Sequence, residues 1–251
     1  MGGSGNISLA RALNIGAATL TKIGTGTVTL GWAGANTVGT TNVNAGTLAV
    51  RGTLGGTLNV ANLGTLQTNA GSIISAGTSV LGQQTIGGSS IASSTFTGGV
   101  TYGASAALNW DLANNSTSGS GTNFDQVLIT SGNLSITSGA TLNLVFNQPG
   151  STVVWTNPFW ASTHSWIVMD FSGAGTSTGN FNIGTLSTDS LGQSLASAQP
   201  GATFTTSKIA GDVILTYNVV PEPTTNALIC LAIAIIVIHQ IKRRNLINKK
   251  K

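Results

Sequence analysis

Charge is what this chain has least of. Asp, Glu, Lys and Arg make up 6% of its 251 residues, against roughly 25% in soluble globular domains. The net charge of +4 is unevenly placed. Before Pro221 stand Arg11, Lys22, Arg51 and Lys208 against Asp111, Asp125, Asp170, Asp189 and Asp212, one net negative charge. The excess lies in Lys242, Arg243, Arg244, Lys249, Lys250 and Lys251, opposed there by Glu222 alone. Nucleic-acid recognition needs several phosphate-neutralising side chains on one face, and the body has too few. The single cysteine, Cys230, excludes an intrachain disulfide framework or a Cys-based metal site. It sits in an apolar run and reads as a small buried residue rather than a lipidation site.

Gly, Thr, Ser and Asn take the place of charge, and apolar residues still supply 41% of the chain. That is enough to bury a core, so the composition is not that of a disordered segment. Thr27–Leu30, Thr47–Val50, Thr57–Val60, Asn133–Ile136 and Thr141–Leu144 alternate polar and apolar residues. A period of two puts one set of side chains in a core and the other in water. No amphipathic helix of ten residues is expected before Pro221, because most windows contain Gly, costing about 1 kcal/mol relative to Ala.

Gly-Thr-Leu recurs at Gly46, Gly52, Gly56, Gly64 and Gly184. Such self-similarity predicts stacked repeats with glycine at the corners and Thr or Asn in outward ladders. Repeats of roughly 20 residues would give about ten coils, a stack on the order of 50 Å long. The expected class is all-β: a parallel β-helix (β-solenoid) body followed by a single C-terminal transmembrane helix. Leu20-Thr21-Lys22-Ile23-Gly24-Thr25-Gly26-Thr27-Val28-Thr29-Leu30, then Asn36-Thr37, Gly39-Thr40-Thr41 and Val43-Asn44-Ala45-Gly46-Thr47-Leu48-Ala49-Val50, resembles the autotransporter-associated β-strand repeat. The resemblance covers Leu20–Val50 and implies a parallel β-helix there. It does not extend to a translocator barrel, because no run of tilted membrane strands follows.

Three regions are expected: 1–108, a β-solenoid carrying that repeat; 109–220, a β continuation or cap richer in aromatics; and 221–251, a sorting tail. In the second region Trp110, Phe124, Phe146, Trp155, Phe159, Trp160 and Trp166 either close the end of the stack or present an exposed row to sugar rings. Exposure of Trp155, Trp160 and Trp166 separates the two. Asp212–Val219 reads as the last strand of the body.

In the tail, Pro221-Glu222-Pro223 ends that strand by removing donors and fixing φ. Ala227–Ile238 has no polar side chain, and Thr224–Ile241 as a helix of 18 residues would span about 27 Å. Lys242, Arg243 and Arg244 follow, which by the positive-inside rule keeps that end cytoplasmic. This order resembles the PEP-CTERM sorting signal of Gram-negative bacteria. The resemblance implies recognition of Pro221, Glu222 and Pro223 by an exosortase, a membrane cysteine protease, and membrane retention by Lys242, Arg243 and Arg244. It implies a bacterial envelope location: an inner-membrane precursor in contact with membrane lipid, and a mature form at the cell surface or outside the cell. Met1–Leu20 has neither a basic n-region nor an apolar h-region, so the chain is expected to be a fragment or a truncated gene product.

No constellation for catalysis is visible. Acid–base or nucleophilic chemistry needs a tuned group beside its partner, and the body offers His164 and five isolated aspartates. Asp111 and Asp125 flank an Asn-, Ser- and Gly-rich loop whose oxygens would suit calcium, but the calcium-loop patterns are missing. Turn and cap duties are expected for them. No catalytic, cofactor or metal residues are assigned. The expected function is that of an exported structural or adhesive protein whose partners are the exosortase, membrane lipid and extracellular polysaccharide, with no nucleic acid. The alternatives are a divergent β-helix polysaccharide lyase or hydrolase, and a carbohydrate-binding module.

Overall fold

Thr-x-Thr-x alternation favours extended backbone, since branched side chains pack well on a pleated surface with one wet face. The segments that carry it pair side by side. The computed structural model describes residues 1–75, 77–219 and 239, and most of the body among them is strand. Three parallel ladders run through it. In the first, Val28, Leu48, Leu66, Gln84, Leu108 and Leu142 stand in one buried column. In the second, Leu20, Thr41, Leu58, Ser79, Val100 and Leu134 do the same. The third stacks Leu54, Ile74, Phe96, Ile129 and Phe171. Each fully buried aliphatic side chain contributes roughly 1.5–3 kcal/mol, so these columns are the main source of stability.

The outward positions form polar columns. Asn59 Nδ2 donates to Asn42 Oδ1 at 3.0 Å, Asn109 Nδ2 to Thr85 Oγ1 at 3.0 Å, and Asn143 Nδ2 to Asn109 Oδ1 at 2.8 Å. A ladder of amides joins one strand to the next without charge.

Two particulars of the expected class are corrected. The strands belong to one 20-stranded mixed sheet, and that sheet is not the expected parallel β-helix (β-solenoid). Register partners of the first ladder lie 18 residues apart at Leu48↔Leu66 but 34 apart at Leu108↔Leu142 and 41 apart at Leu142↔Ile183. The third ladder then turns antiparallel: His164–Phe171 pairs with Asp212–Asn218, which pairs with Thr203–Ile209. The last two of these strands are joined by a two-residue turn, Ala210 (φ 52°) and Gly211 (φ 101°). Positive φ at both positions matches the right-handed twist of a tight hairpin. The second correction concerns the membrane helix. Among the described residues no helix is long and apolar enough to cross a membrane; the helical pieces of the body are the four-residue turns Pro158–Ala161 and Leu195–Ala198. The expected span, 224–241, lies outside the described residues apart from residue 239.

One buried charge sits inside the first rows. Lys22 occupies the inward column shared with Val43 and Val60 and is 1% exposed. Its ammonium donates to the carbonyl oxygens of Gly24 at 2.7 Å, Ala45 at 2.9 Å and Ile23 at 3.1 Å. An ammonium has three donors and no acceptor, so this cage satisfies it in full. Desolvation lowers its pKa from the ordinary lysine value. Gly46 has φ 66°, and a Cβ there would stand 2.7 Å from Lys22 Nζ. The glycine is required by both its backbone and the lysine head. Lys22→Met keeps the apolar stem but leaves three carbonyls short of a donor. We expect it to lower the urea midpoint, with a loss of about 1–3 kcal/mol; an unchanged midpoint would show that the cage adds nothing.

Candidate functional site

The region after Gly99 gathers the body's five aspartates, His164 and most of its aromatic rings. Gly99–Asp111 delivers Trp110 inward and ends on Asp111; the loop that follows returns at Asp125. Asp125 Oδ1 accepts the Ala92 N–H at 2.9 Å and Oδ2 the Asp111 N–H at 3.1 Å. Its own carbonyl accepts Trp110 Nε1–H at 2.6 Å. The loop is tied across itself by Asn114 Nδ2 to Asn123 Oδ1 at 2.7 Å.

Asp111 and Asp125 are 3% and 0% exposed. Burial pushes the Asp111 carboxyl up to about 7. Burial first, and then repulsion from Asp111, raise Asp125 well above the ordinary carboxylate range, although its two backbone donors pull the other way. Both carboxyls are thus easier to protonate than free aspartates. A carboxyl pair with split roles is a common acid–base device, but a sugar ring has no path to these two. The groups fasten the loop.

The aromatic block is closed as well. Trp155 and Trp160 are 0% exposed and Trp166 is 1%, so they are core and not a stacking platform. Trp155 and Trp160 meet edge to face at 4.6 Å, Phe146 and Trp155 at 4.7 Å, and Trp160 and Tyr217 at 5.0 Å. Such pairs add about 0.5–1.5 kcal/mol each beyond area burial. Every buried indole N–H is satisfied: Trp155 donates to Gln193 O at 3.0 Å, Trp160 to Asn115 Oδ1 at 2.8 Å, and Trp166 to Ser116 O at 2.8 Å. The loop thus supplies two of these acceptors, the Asn115 side chain and the Ser116 carbonyl.

The other expected residues find plain duties. Asp189 is buried and its carboxylate accepts the backbone N–H of Gln193 at 2.8 Å, Leu191 at 3.0 Å and Trp155 at 3.0 Å. Asp212 accepts from Phe171 N at 2.8 Å. His164 lies flat on Phe159, ring centroids 3.8 Å apart, with Ser162 Oγ at 3.2 Å from Nε2. None of these stands beside a second titratable partner in the manner of a triad. Among the described residues no cluster of three or more metal-binding side chains occurs. Pro221, Glu222, Pro223, Lys242, Arg243 and Arg244 lie outside the described residues.

Sequence reasoning placed Asp111 and Asp125 at the two ends of one loop without seeing that they meet in the core. It missed the carbonyl cage of Lys22 and the one exposed tryptophan, Trp32. No family model and no curated protein matches the chain.

The raised carboxyls set the sign of a pH effect. Between the unfolded aspartate value near 3.9 and the folded value of about 7 for Asp111, the native state binds more protons than the unfolded chain. Stability from Asp111 is full below about pH 4 and is lost as pH rises through about 7, and Asp125 acts in the same direction. The unfolding free energy from urea titrations should fall from pH 5 to pH 8, by on the order of 2–4 kcal/mol if the pair dominates. Asp111→Asn should flatten that slope and gain on the wild type at pH 8. A wild-type curve that is level, or rises, across this range would contradict the assignment.

Proposed function

We propose that the chain is an exported protein of the bacterial surface that works by extent and adhesion, and that an exosortase processes it at Pro221-Glu222-Pro223. The sorting half of the reading is carried by one observation, the order of that motif, the apolar segment 227–238 and the cluster Lys242-Arg243-Arg244. Any one of the three alone would mean little. Together they resemble the PEP-CTERM signal described above.

The geometry of the body supports the adhesive half. Outward Thr and Asn columns present hydroxyls and amides that are only half-buried, at the spacing of neighbouring strands. Polysaccharide hydroxyls can exchange hydrogen bonds with such a surface at many weak points, and attachment through many weak points is firm overall. Turnover asks for more. A 10⁶-fold acceleration needs about 8 kcal/mol of transition-state stabilisation, supplied mainly by preorganised charges and dipoles. In this body Asp125 and Asp189 are fully buried and engaged with backbone donors.

Two measurements test the reading. In a host with an exosortase, Glu222→Ala should leave precursor in the membrane fraction while the wild type is released; equal release of both would remove the sorting half. The purified protein, offered acidic and neutral polysaccharides with and without calcium, should bind without cleaving. Sustained cleavage abolished by changing any one of the five body aspartates would replace adhesion with catalysis.

A further inference from the structure

Four of the five tryptophans are buried at 0–1% exposure, whereas Trp32 is 46% exposed. Its position is set by the first ladder. Leu9, Leu30 and Val50 are register partners, and the pairing continues for one more residue, with Gly31 N donating to Leu9 O at 2.8 Å and Arg51 N to Leu30 O at 3.2 Å. Ala10, Gly31 and Arg51 are therefore level, and Arg11, Trp32 and Gly52 follow on the three adjoining turns. The turns touch: a Cβ on Gly52 would lie 2.5 Å from the Trp32 carbonyl oxygen. Arg11 and Arg51 are both exposed. Ala10, Arg11, Ala12 and Trp32 line an open groove of about 610 Å³; Arg51 is not in that lining and stands at the neighbouring strand end, level with Gly31.

The electrostatics are one-sided. No acidic residue precedes Asp111 in the chain, and the remaining cation of that half, Lys22, is buried in its carbonyl cage. Arg11 and Arg51 thus have no carboxylate on their own half to neutralise them. A guanidinium presents a planar fork that matches a carboxylate in bidentate fashion, and an exposed indole offers a flat apolar face to the C–H side of a pyranose ring.

We propose that Trp32 and Arg11, with Arg51 at the neighbouring strand end, form a binding site for a carboxylated pyranose, that is, a uronic-acid unit of an acidic polysaccharide. The site deepens the adhesive reading and rests on it: the neutral columns give weak attachment along the body, and this corner adds selectivity for acidic sugar. A nucleic-acid strand would also find a ring and two cations here. Two exposed arginines are too few to track a phosphate backbone, so the sugar is favoured.

The test uses the purified full chain in mild detergent, with polygalacturonate as probe and dextran, poly-L-glutamate and single-stranded DNA as comparisons. Binding of polygalacturonate should shield Trp32 from acrylamide quenching, since the other four indoles are already buried. Because Trp32 is exposed, Trp32→Ala leaves the core intact; it should weaken polygalacturonate binding at least about fivefold and leave dextran binding unchanged. The double variant Arg11→Gln, Arg51→Gln should weaken it further and remove most of its salt dependence. Poly-L-glutamate or single-stranded DNA binding as tightly as polygalacturonate would overturn the site as a sugar site. Polygalacturonate binding that survives both variants would overturn the site and leave general adhesion standing. Failure of every polysaccharide to bind would instead remove the adhesive reading, independently of the release assay on Glu222→Ala.

Discussion

Neighbouring parallel strands lie about 4.8 Å apart, so a side chain in such a ladder meets its own counterpart above and below. Like charges at that distance repel, and unlike charges would need a strict alternation along the stack. This constraint accounts for most of what is unusual in the composition. Thr, Asn and Gln can stack on themselves and exchange hydrogen bonds, as Asn42 with Asn59 and Asn109 with Asn143 do. Inside, Val28, Leu48 and Leu66 pile into a continuous apolar column for the same reason. Scarcity of charge is the condition for the ladders to form.

The same constraint explains how the few inward polar groups are treated. Lys22 enters a column otherwise held by Val43 and Val60, and the backbone closes on its head with three carbonyls. Gln84 interrupts the column between Leu66 and Leu108, and its Oε1 accepts the hydroxyl of Tyr102. Burial then raises the Tyr102 phenol pKa above its ordinary value. Asp125 and Asp189 take backbone N–H groups in the same spirit. A buried polar group without such a partner costs about 1–3 kcal/mol; Lys22, Asp125 and Asp189 avoid that cost locally, with no opposing charge, whereas Gln84 Nε2 and the hydroxyls of Thr41 and Ser79 in the inward columns have no hydrogen-bond partner.

Much of the strand pattern was legible because it depends on local alternation. Thr27–Leu30 and Thr57–Val60 are strands over those same residues, and Thr141–Val145 differs from its expected bounds by one residue. What local alternation could not show was connectivity. Thr78–Ile86 and Gly99–Asp111 each serve two ladders in turn, with a register shift between Leu81 and Gln83 that no alternation announces. The antiparallel closure depends on Ala210-Gly211, which reads in sequence as one more glycine turn among many. The aromatic block was visible as composition, but whether its rings faced inward was decided by partners 15 to 57 residues away. The hydrogen bond from the Asp111 N–H to the Asp125 carboxyl, 14 residues on, has the same long-range origin.

The division of charge between inside and outside connects the fold to what the surface can do. Lys22, Asp111, Asp125 and Asp189 are all withdrawn from water and spent on backbone or loop. Neutral columns next to them contribute no field. An exposed charge on such a background has few neighbours to cancel it, so its influence extends to about the Debye length, roughly 8–10 Å at physiological salt. Arg11 and Arg51, on adjoining turns beside Trp32, are two such charges on one corner. In a protein of ordinary composition two surface arginines would be lost among many ion pairs. Here the rule that keeps charge out of the ladders makes the two arginines left at a turn the dominant local feature for an acidic ligand.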